Sequence, residues 1–249
     1  MAVSLIDDLI SEISDVDNVA QLHSALSNCV VSMGFDHFAL AYDQRMKGAF
    51  NHNILVHDYP DSWAKVYVGF ELAGTDPIRR ASERSMTGFE WRHLEHYIPL
   101  TRSDRQMLFI GKENGIDDGY TVPRHLPGEA SGSCTFAVQT GNPIPESMLN
   151  TAEIVGAVAL TVARRIAGER TPKSKPLLSE RQRECVLWSA RGKTAGEVAS
   201  ILGISEETVI QHLKLARDRY DVHCRQALIL CALFDGLIGF GDIFRKWDN

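Results

Sequence analysis

No two of the five cysteines, Cys29, Cys134, Cys185, Cys224 and Cys231, form a CxxC pair, and no Cys/His group keeps zinc-ligand spacing. So scattered and odd a set argues against a disulfide framework and points to reduced, core-filling side chains. Long apolar runs are missing too, since none approaches the roughly 18 residues of a membrane-spanning helix. The opening MAVSLIDDLISEISDVDNV has no basic leader and sets acids inside its apolar pattern, so a cytoplasmic protein without a membrane partner is expected. There is no GxSxG elbow, no HExxH or HxxEH, and no ligand spacing among the nine histidines. A hydrolase would need such a set. Neither catalytic residues, a metal nor a cofactor is therefore expected.

What is present is ordinary for a soluble chain of two domains: 249 residues, 44% hydrophobic and 23% charged, with no repeat or low-complexity tract. The net charge of -6 is uneven. Residues 1–170 hold 14 Lys+Arg against 22 Asp+Glu, net -8, and residues 171–249 hold 12 against 10, net +2. This excess alone is also that of a mixed solvated surface. AGERTPKSKPL, with its Gly, two Pro and charges after a long apolar-periodic stretch, reads as a boundary. The reading divides the chain into a domain over 1–168, a linker over 169–177 and a second domain over 178–249.

In the first domain, Leu5, Leu9 and Ile13, then Leu22, Leu26 and Cys29, follow helical spacing. HFALAYD and NILVH read as strands, followed by short helices from Asp61 to about Phe70 and from Pro77 to about Arg84, and a strand around GFEW. A helix near Asp104–Asn114, paired strands GYTVPRH and SGSCTFAVQT around the turn LPGEAS, and an amphipathic helix from Ser147 to Arg165 complete it. Strands interleaved with helices, with long helices at both ends, predict an α/β/α sandwich around a central antiparallel sheet. Phe38, Leu40, Tyr42, Leu55 and Phe136 are expected to line an apolar pocket, or simply to pack as core.

In the second domain Ser179 with Gln182, and Thr194 with Glu197, have capping-box spacing, Gly192 and Gly203 suit helix ends, and Ser205 caps a further helix. That last helix points Val209, Leu213 and Ala216 inward and Glu207, Gln211, Lys214 and Arg217 outward. Two helices joined by a four-residue connection, the second bearing hydrogen-bonding and cationic side chains, fit a helix-turn-helix that enters the major groove of double-stranded DNA. Lys214 and Arg217 suit guanines or phosphates, Gln211 a base edge, and Thr208 and His212 the backbone. By pattern alone, an αα-hairpin with solvated polar faces stays open.

The segment LSERQRECVLWSARGKTAGEVASILGISEETVIQHLKLARDRY resembles the DNA-binding domain of LuxR-type regulators. The match runs through Leu178, Glu184, Trp188, Gly192, Lys193, Thr194, Ser205, Thr208, His212 and Ala216 to Arg225 and Ala227. Gln182 and Val186 stand where that family has Glu and Leu. No phosphoacceptor pattern of a response regulator precedes it. Instead YPDSWAKVYVGFELAGTDPI, then Trp91, Gly119 and Thr135, are similar to the acyl-homoserine-lactone-binding domain of quorum-sensing regulators.

The resemblance implies an α+β chain: the N-terminal α/β/α sandwich with its central antiparallel sheet, followed by an all-α, four-helix helix-turn-helix domain. It implies a transcriptional regulator that binds an N-acyl homoserine lactone and, as a homodimer, promoter DNA, with RNA polymerase as a further partner. A regulator of the same type that answers to another small molecule, or to none, is the alternative. Asp76 is given the ligand amide N–H, Trp63 the lactone carbonyl, Tyr59 and Thr135 the amide carbonyl, and Tyr67 and Trp91 the walls. With the matched residues Lys193, Thr194 and Ser205 added, the residues expected at DNA are Lys193, Thr194, Ser205, Thr208, Gln211, His212, Lys214 and Arg217. Read without the resemblance, Asp76 before Pro77 is a helix N-cap, a role not easily combined with ligand binding, and Trp63 and Tyr67 are a core-facing helical pair. The helices Ser147–Arg165 and about Arg225–Ile238 are candidates for a dimer interface, the second equally for completing the small domain's core.

Overall fold

Five strands, β1 (His37–Asp43), β2 (Ile54–His57), β3 (Phe89–Glu90), β4 (Asp118–Arg124) and β5 (Ser131–Val138), pair antiparallel in the order β2-β1-β5-β4-β3. They belong to a computed structural model that describes residues 2–43, 54–69, 75–125, 131–168 and 176–244. The chain falls into two units, one of residues 1–125 and 130–169 and one continuing from 170. The expected turn LPGEAS, apart from Ser131, the end of the helix at Phe70 and the strand start at Asn53 lie outside the described residues.

Alternation along the strands sends side chains to two different layers. Phe38, Leu40 and Tyr42 of β1, with Cys134 and Phe136 of β5, face α1 (Ala2–Ser14), α2 (Val19–Met33) and α6 (Leu149–Ile166), where they form one continuous core. Each fully buried Phe or Leu there contributes about 1.5–3 kcal/mol. The other sheet face carries Ala39, Ala41, Ser133 and Thr135 and meets α3 (Asp61–Gly69), α4 (Pro77–Ser82) and α5 (Arg102–Glu113). Phe38, Leu40, Tyr42 and Phe136 are thus core residues of the helical side rather than pocket lining; of the expected set only Leu55 reaches the cavity. Bulky side chains fill the layer under three long helices, and small ones leave room on the opposite face.

The strand expected through Trp91 ends at Glu90, the last residue paired with β4. Trp91 opens a 3-10 helix, Trp91–His96, and the Glu90 carboxylate pairs with Arg92 and lies 3.6 Å from His93 in that helix. The long closing helix starts later than expected, after a 3-10 turn at Glu146–Met148. Thr101 caps α5 in a reciprocal box with Asp104. Among the described residues no helix is long and apolar enough to cross a membrane.

The second unit consists of α7 (Glu180–Ala190), α8 (Ala195–Leu202), α9 (Glu206–Tyr220) and α10 (Arg225–Phe234), with a short fifth helix, α11 (Phe240–Phe244). Both expected capping boxes form, Ser179 with Gln182 and Thr194 with Glu197, and Gly203 closes α8 in the left-handed region at φ 67°. Val198, Val209, Leu213, Ala216 and Leu228 meet in its core. Gln182, 3% exposed, accepts from the Ser179 N–H at 2.9 Å and from Arg219 Nη1 at 2.7 Å, so the neutral amide holds both the cap and the guanidinium. Arg225 donates to the Ser189 and Lys193 carbonyls and ties α10 to the turn after α7. The last long helix ends at Phe234 rather than near Ile238, because Gly236 turns the chain at φ 69°.

Candidate ligand cavity and nucleic-acid interface

Between the small-residue face of the sheet and α3, α4 and α5 lies a cavity of about 130 Å³. Tyr59, Trp63, Tyr67, Asp76, Trp91 and Thr135 all line it. Trp63 and Tyr67, one turn apart on α3, meet edge to face at 5.8 Å, as helical spacing allows. Gly119 makes room for Trp91: a Cβ there would sit 2.8 Å from the indole Cε2.

Hydrogen bonds separate the groups already committed from those that are not. Asp76, 7% exposed, accepts from the Ile78 N–H through Oδ1 at 2.8 Å and from the Tyr67 hydroxyl through Oδ2 at 2.8 Å. It therefore caps α4 and faces the cavity at once; the two roles do not compete, because each falls on its own oxygen. A carboxylate has about four acceptor positions, which leaves capacity for another donor. Burial pushes its pKa up, against the opposing pull of the Tyr67 hydroxyl and the α4 N–H groups. Burial, and after it the Asp76 charge, pushes the Tyr59 and Tyr67 hydroxyls up as well, so both remain protonated donors.

Trp91 Nε1 donates to Thr121 Oγ1 at 2.9 Å, and Thr121 Oγ1 meets Thr135 Oγ1 at 2.9 Å. If the Thr121 hydroxyl donates to Thr135, the Thr135 hydrogen is released toward a further acceptor. Trp91 thus has a use for its N–H, whereas the Tyr59 hydroxyl and Trp63 Nε1 have no partner among the described residues. The cavity holds two unused donors, an acceptor with spare capacity and a threonine hydroxyl in apolar surroundings.

The sequence reading missed part of the lining. Met107, Leu108 and Gly111 come from one face of α5, Ile78 from α4, and His57 from the edge strand. Strand alternation places His57 and Leu55 beside Ala39 and Ala41, a signal that was available; the α5 residues read as ordinary core.

In the second unit, α8 and α9 are joined by a short turn. Thr208, Gln211 and Lys214 are exposed on α9, and His212 and Arg217 are half-buried. Ser205 caps α9, and its Oγ meets Thr208 Oγ1 at 2.8 Å. At the start of α8, Lys193 Nζ pairs with Glu197 at 2.8 Å and Thr194 provides the cap. Ile210, 52% exposed on α9, is an apolar side chain suited to a thymine methyl that the sequence reading did not pick out. Leu230 on α10 is 66% exposed, while its neighbours Leu228 and Ala232 complete the small core.

Residues 18–166 match the family described as autoinducer binding domain, and residues 176–232 match that described as bacterial regulatory proteins, luxR family. The transcriptional activator protein AhyR of Aeromonas hydrophila is 26% identical over 213 residues, covering 82% of this chain and 79% of that protein. The quorum sensing-dependent transcriptional regulator RpaR of Rhodopseudomonas palustris is 26% identical over 229 residues, covering 90% and 93%. A crystal structure of Escherichia coli SdiA shares the fold with a TM-score of 0.68 at 20% identity, covering 96% of this chain and 99% of that one.

Proposed function

Since the chain belongs to the LuxR family of quorum-sensing transcriptional regulators, we propose that its cavity binds an N-acyl homoserine lactone and that it binds promoter DNA as a homodimer. The observation that carries the ligand class is the pairing of two free donors, Tyr59 and Trp63, with the buried carboxylate of Asp76. An acyl homoserine lactone offers the complement: an amide N–H for Asp76, an amide carbonyl for Tyr59 and Thr135, and a lactone carbonyl for Trp63. Tyr67 and Trp91 wall the head group, and the acyl chain lies over Ala39 and Ala41.

Residues 1–168 form the ligand domain and 178–249 the DNA domain, with 169–177 as linker. In the latter, Gln211, Lys214 and Arg217 meet the major groove, and Lys193, Thr194, Ser205, Thr208 and His212 the flanking phosphates. One such helix covers a small site, and a dimer doubles it on a pseudo-palindrome. Ligand that binds only the native form stabilises it by mass action, about 2.7 kcal/mol at a hundredfold excess over Kd, and so raises the amount of DNA-competent dimer. The test is a gel shift on a pseudo-palindromic operator, with sedimentation of the same sample. A lactone should shift the binding midpoint and the protein should sediment as a dimer; a monomeric, lactone-insensitive complex would refute the reading.

A further inference from the structure

Ser133 stands on β5 opposite Ala41, two residues before Thr135, which stands opposite Ala39. Alternation puts these four side chains on one face of the sheet, and all four residues line the cavity. Ser133 is half-buried there, where Thr135 is only 6% exposed. It makes no hydrogen bond with the described residues, and so adds a free hydroxyl to the free donors of Tyr59 and Trp63. The cavity is closed on one side of Thr135 and continues on the other. Ala137, the next residue of this face on the closed side, is 0% exposed and packs with Trp63, Trp91 and Ile116. On the open side Ala41, Arg79 and Ser133 also bound a second hollow, which runs on to Ser131, Gly132 and His125. A chain that starts at Thr135 thus finds room along β5 in the direction of Ser133.

We propose that the acyl chain leaves Thr135 along β5 and that Ser133 is a specificity-determining residue, its hydroxyl pairing with an oxo or hydroxy group at the carbon β to the amide carbonyl. The inference rests on the lactone reading above, in which Tyr59 and Thr135 hold the amide carbonyl. Two residues of strand separate Thr135 from Ser133 by about 6.6–6.8 Å. Two ligand oxygens on alternate carbons, each held by a hydrogen bond of about 2.7–2.8 Å, span that distance. A plain alkanoyl chain laid over Ser133 takes its hydroxyl out of water and offers no partner, a cost that a polar substituent removes. Because a serine hydroxyl both donates and accepts, oxo and hydroxy groups both suit it.

Competition binding to the full-length protein tests this with three probes: N-hexanoyl, N-(3-oxohexanoyl) and N-(3-hydroxyhexanoyl) homoserine lactone. The wild type should bind at least one substituted probe about tenfold tighter than the plain one, the scale of one buried hydrogen bond. Ser133→Ala, which extends the alanine surface of Ala39 and Ala41, should bring that ratio to about one without weakening the plain probe. Ser133→Thr keeps the hydroxyl and should keep the preference. Equal binding of all three probes by the wild type, or a preference that survives Ser133→Ala, overturns the assignment of Ser133 alone. So does a preference lost in Ser133→Thr, which would show that space rather than the hydroxyl decides. Binding of none of the probes overturns the lactone reading and this inference with it.

Discussion

Replacing Asp76 by Asn separates the helix-capping role of this residue from its role toward the ligand. Asparagine caps helices as well as aspartate does, so its oxygen can keep the 2.8 Å contact with the Ile78 N–H. The second atom then becomes an NH2 group that faces the Tyr67 hydroxyl, where the carboxylate accepted at 2.8 Å. Toward a ligand amide N–H it sets donor against donor. Losing a hydrogen bond to a charged group costs about 1.5–3 kcal/mol, and the stranded ligand donor about 1–3 more. Allowing for overlap, affinity should fall by about 3–5 kcal/mol, or between about a hundredfold and a few thousandfold in Kd.

Ligand-free stability should behave differently. Burial raises the folded-state pKa of Asp76 above its unfolded value. An acid shifted that way favours the fold below the unfolded pKa, and this contribution is lost as pH rises through the folded pKa. At neutral pH the uncharged Asn escapes the penalty, so the ligand-free variant should melt no lower than the wild type. The lactone N–H favours the ionised carboxylate, so wild-type affinity should weaken as pH falls through the raised pKa, and Asp76→Asn should show no such trend. Calorimetric titration with thermal melts at several pH values reads all three effects. A variant that binds the lactone within about threefold of the wild type, under about 1 kcal/mol, would refute the assignment of Asp76.

Other perturbations test the scaffold and the DNA surface. Gly119→Ala places a methyl 2.8 Å from Trp91 Cε2 and 3.0 Å from the Phe136 carbonyl; overpacking of about 1–3 kcal/mol should lower the melting temperature and weaken ligand binding together, and an unchanged melt would mean that Trp91 is free to move. Ser205→Ala removes the cap of α9 and the contact with Thr208, so stability should drop by about 1 kcal/mol in denaturant titration; no change would show that the cap contributes nothing. Lys214→Ala should weaken operator binding by about 1–3 kcal/mol and relax specificity at the base pair it meets in the major groove, whereas an equal loss on every sequence in gel shifts would place Lys214 away from the base edges.

Much of this architecture was legible because local chemistry and tertiary fold agree. The capping residues Ser179, Thr194 and Ser205 fix helix starts through their own hydrogen bonds, which depend on a few neighbours only, and each forms as expected. The strand HFALAYD was found with its observed limits, yet period-two alternation alone does not say which of its two faces meets the thicker helical layer. For that reason the sequence left Phe38 and Leu40 open between pocket lining and core, and it is Ala39 and Ala41 that line the cavity. Trp91 looked like a strand residue, since neither the turn into a 3-10 helix nor the bond to Thr121, 30 residues away, has a local signal. The double role of Asp76 depends on where Tyr67 and α4 come together.

The central claim is that an acyl homoserine lactone belongs in this cavity and secures the native protein. Expression of the full-length chain with and without a range of such lactones, with soluble yield recorded and bound ligand extracted for mass spectrometry, tests it most directly. The account predicts that one lactone copurifies in stoichiometric amount and raises the soluble yield. Equal yield in every culture with no lactone retained would contradict it.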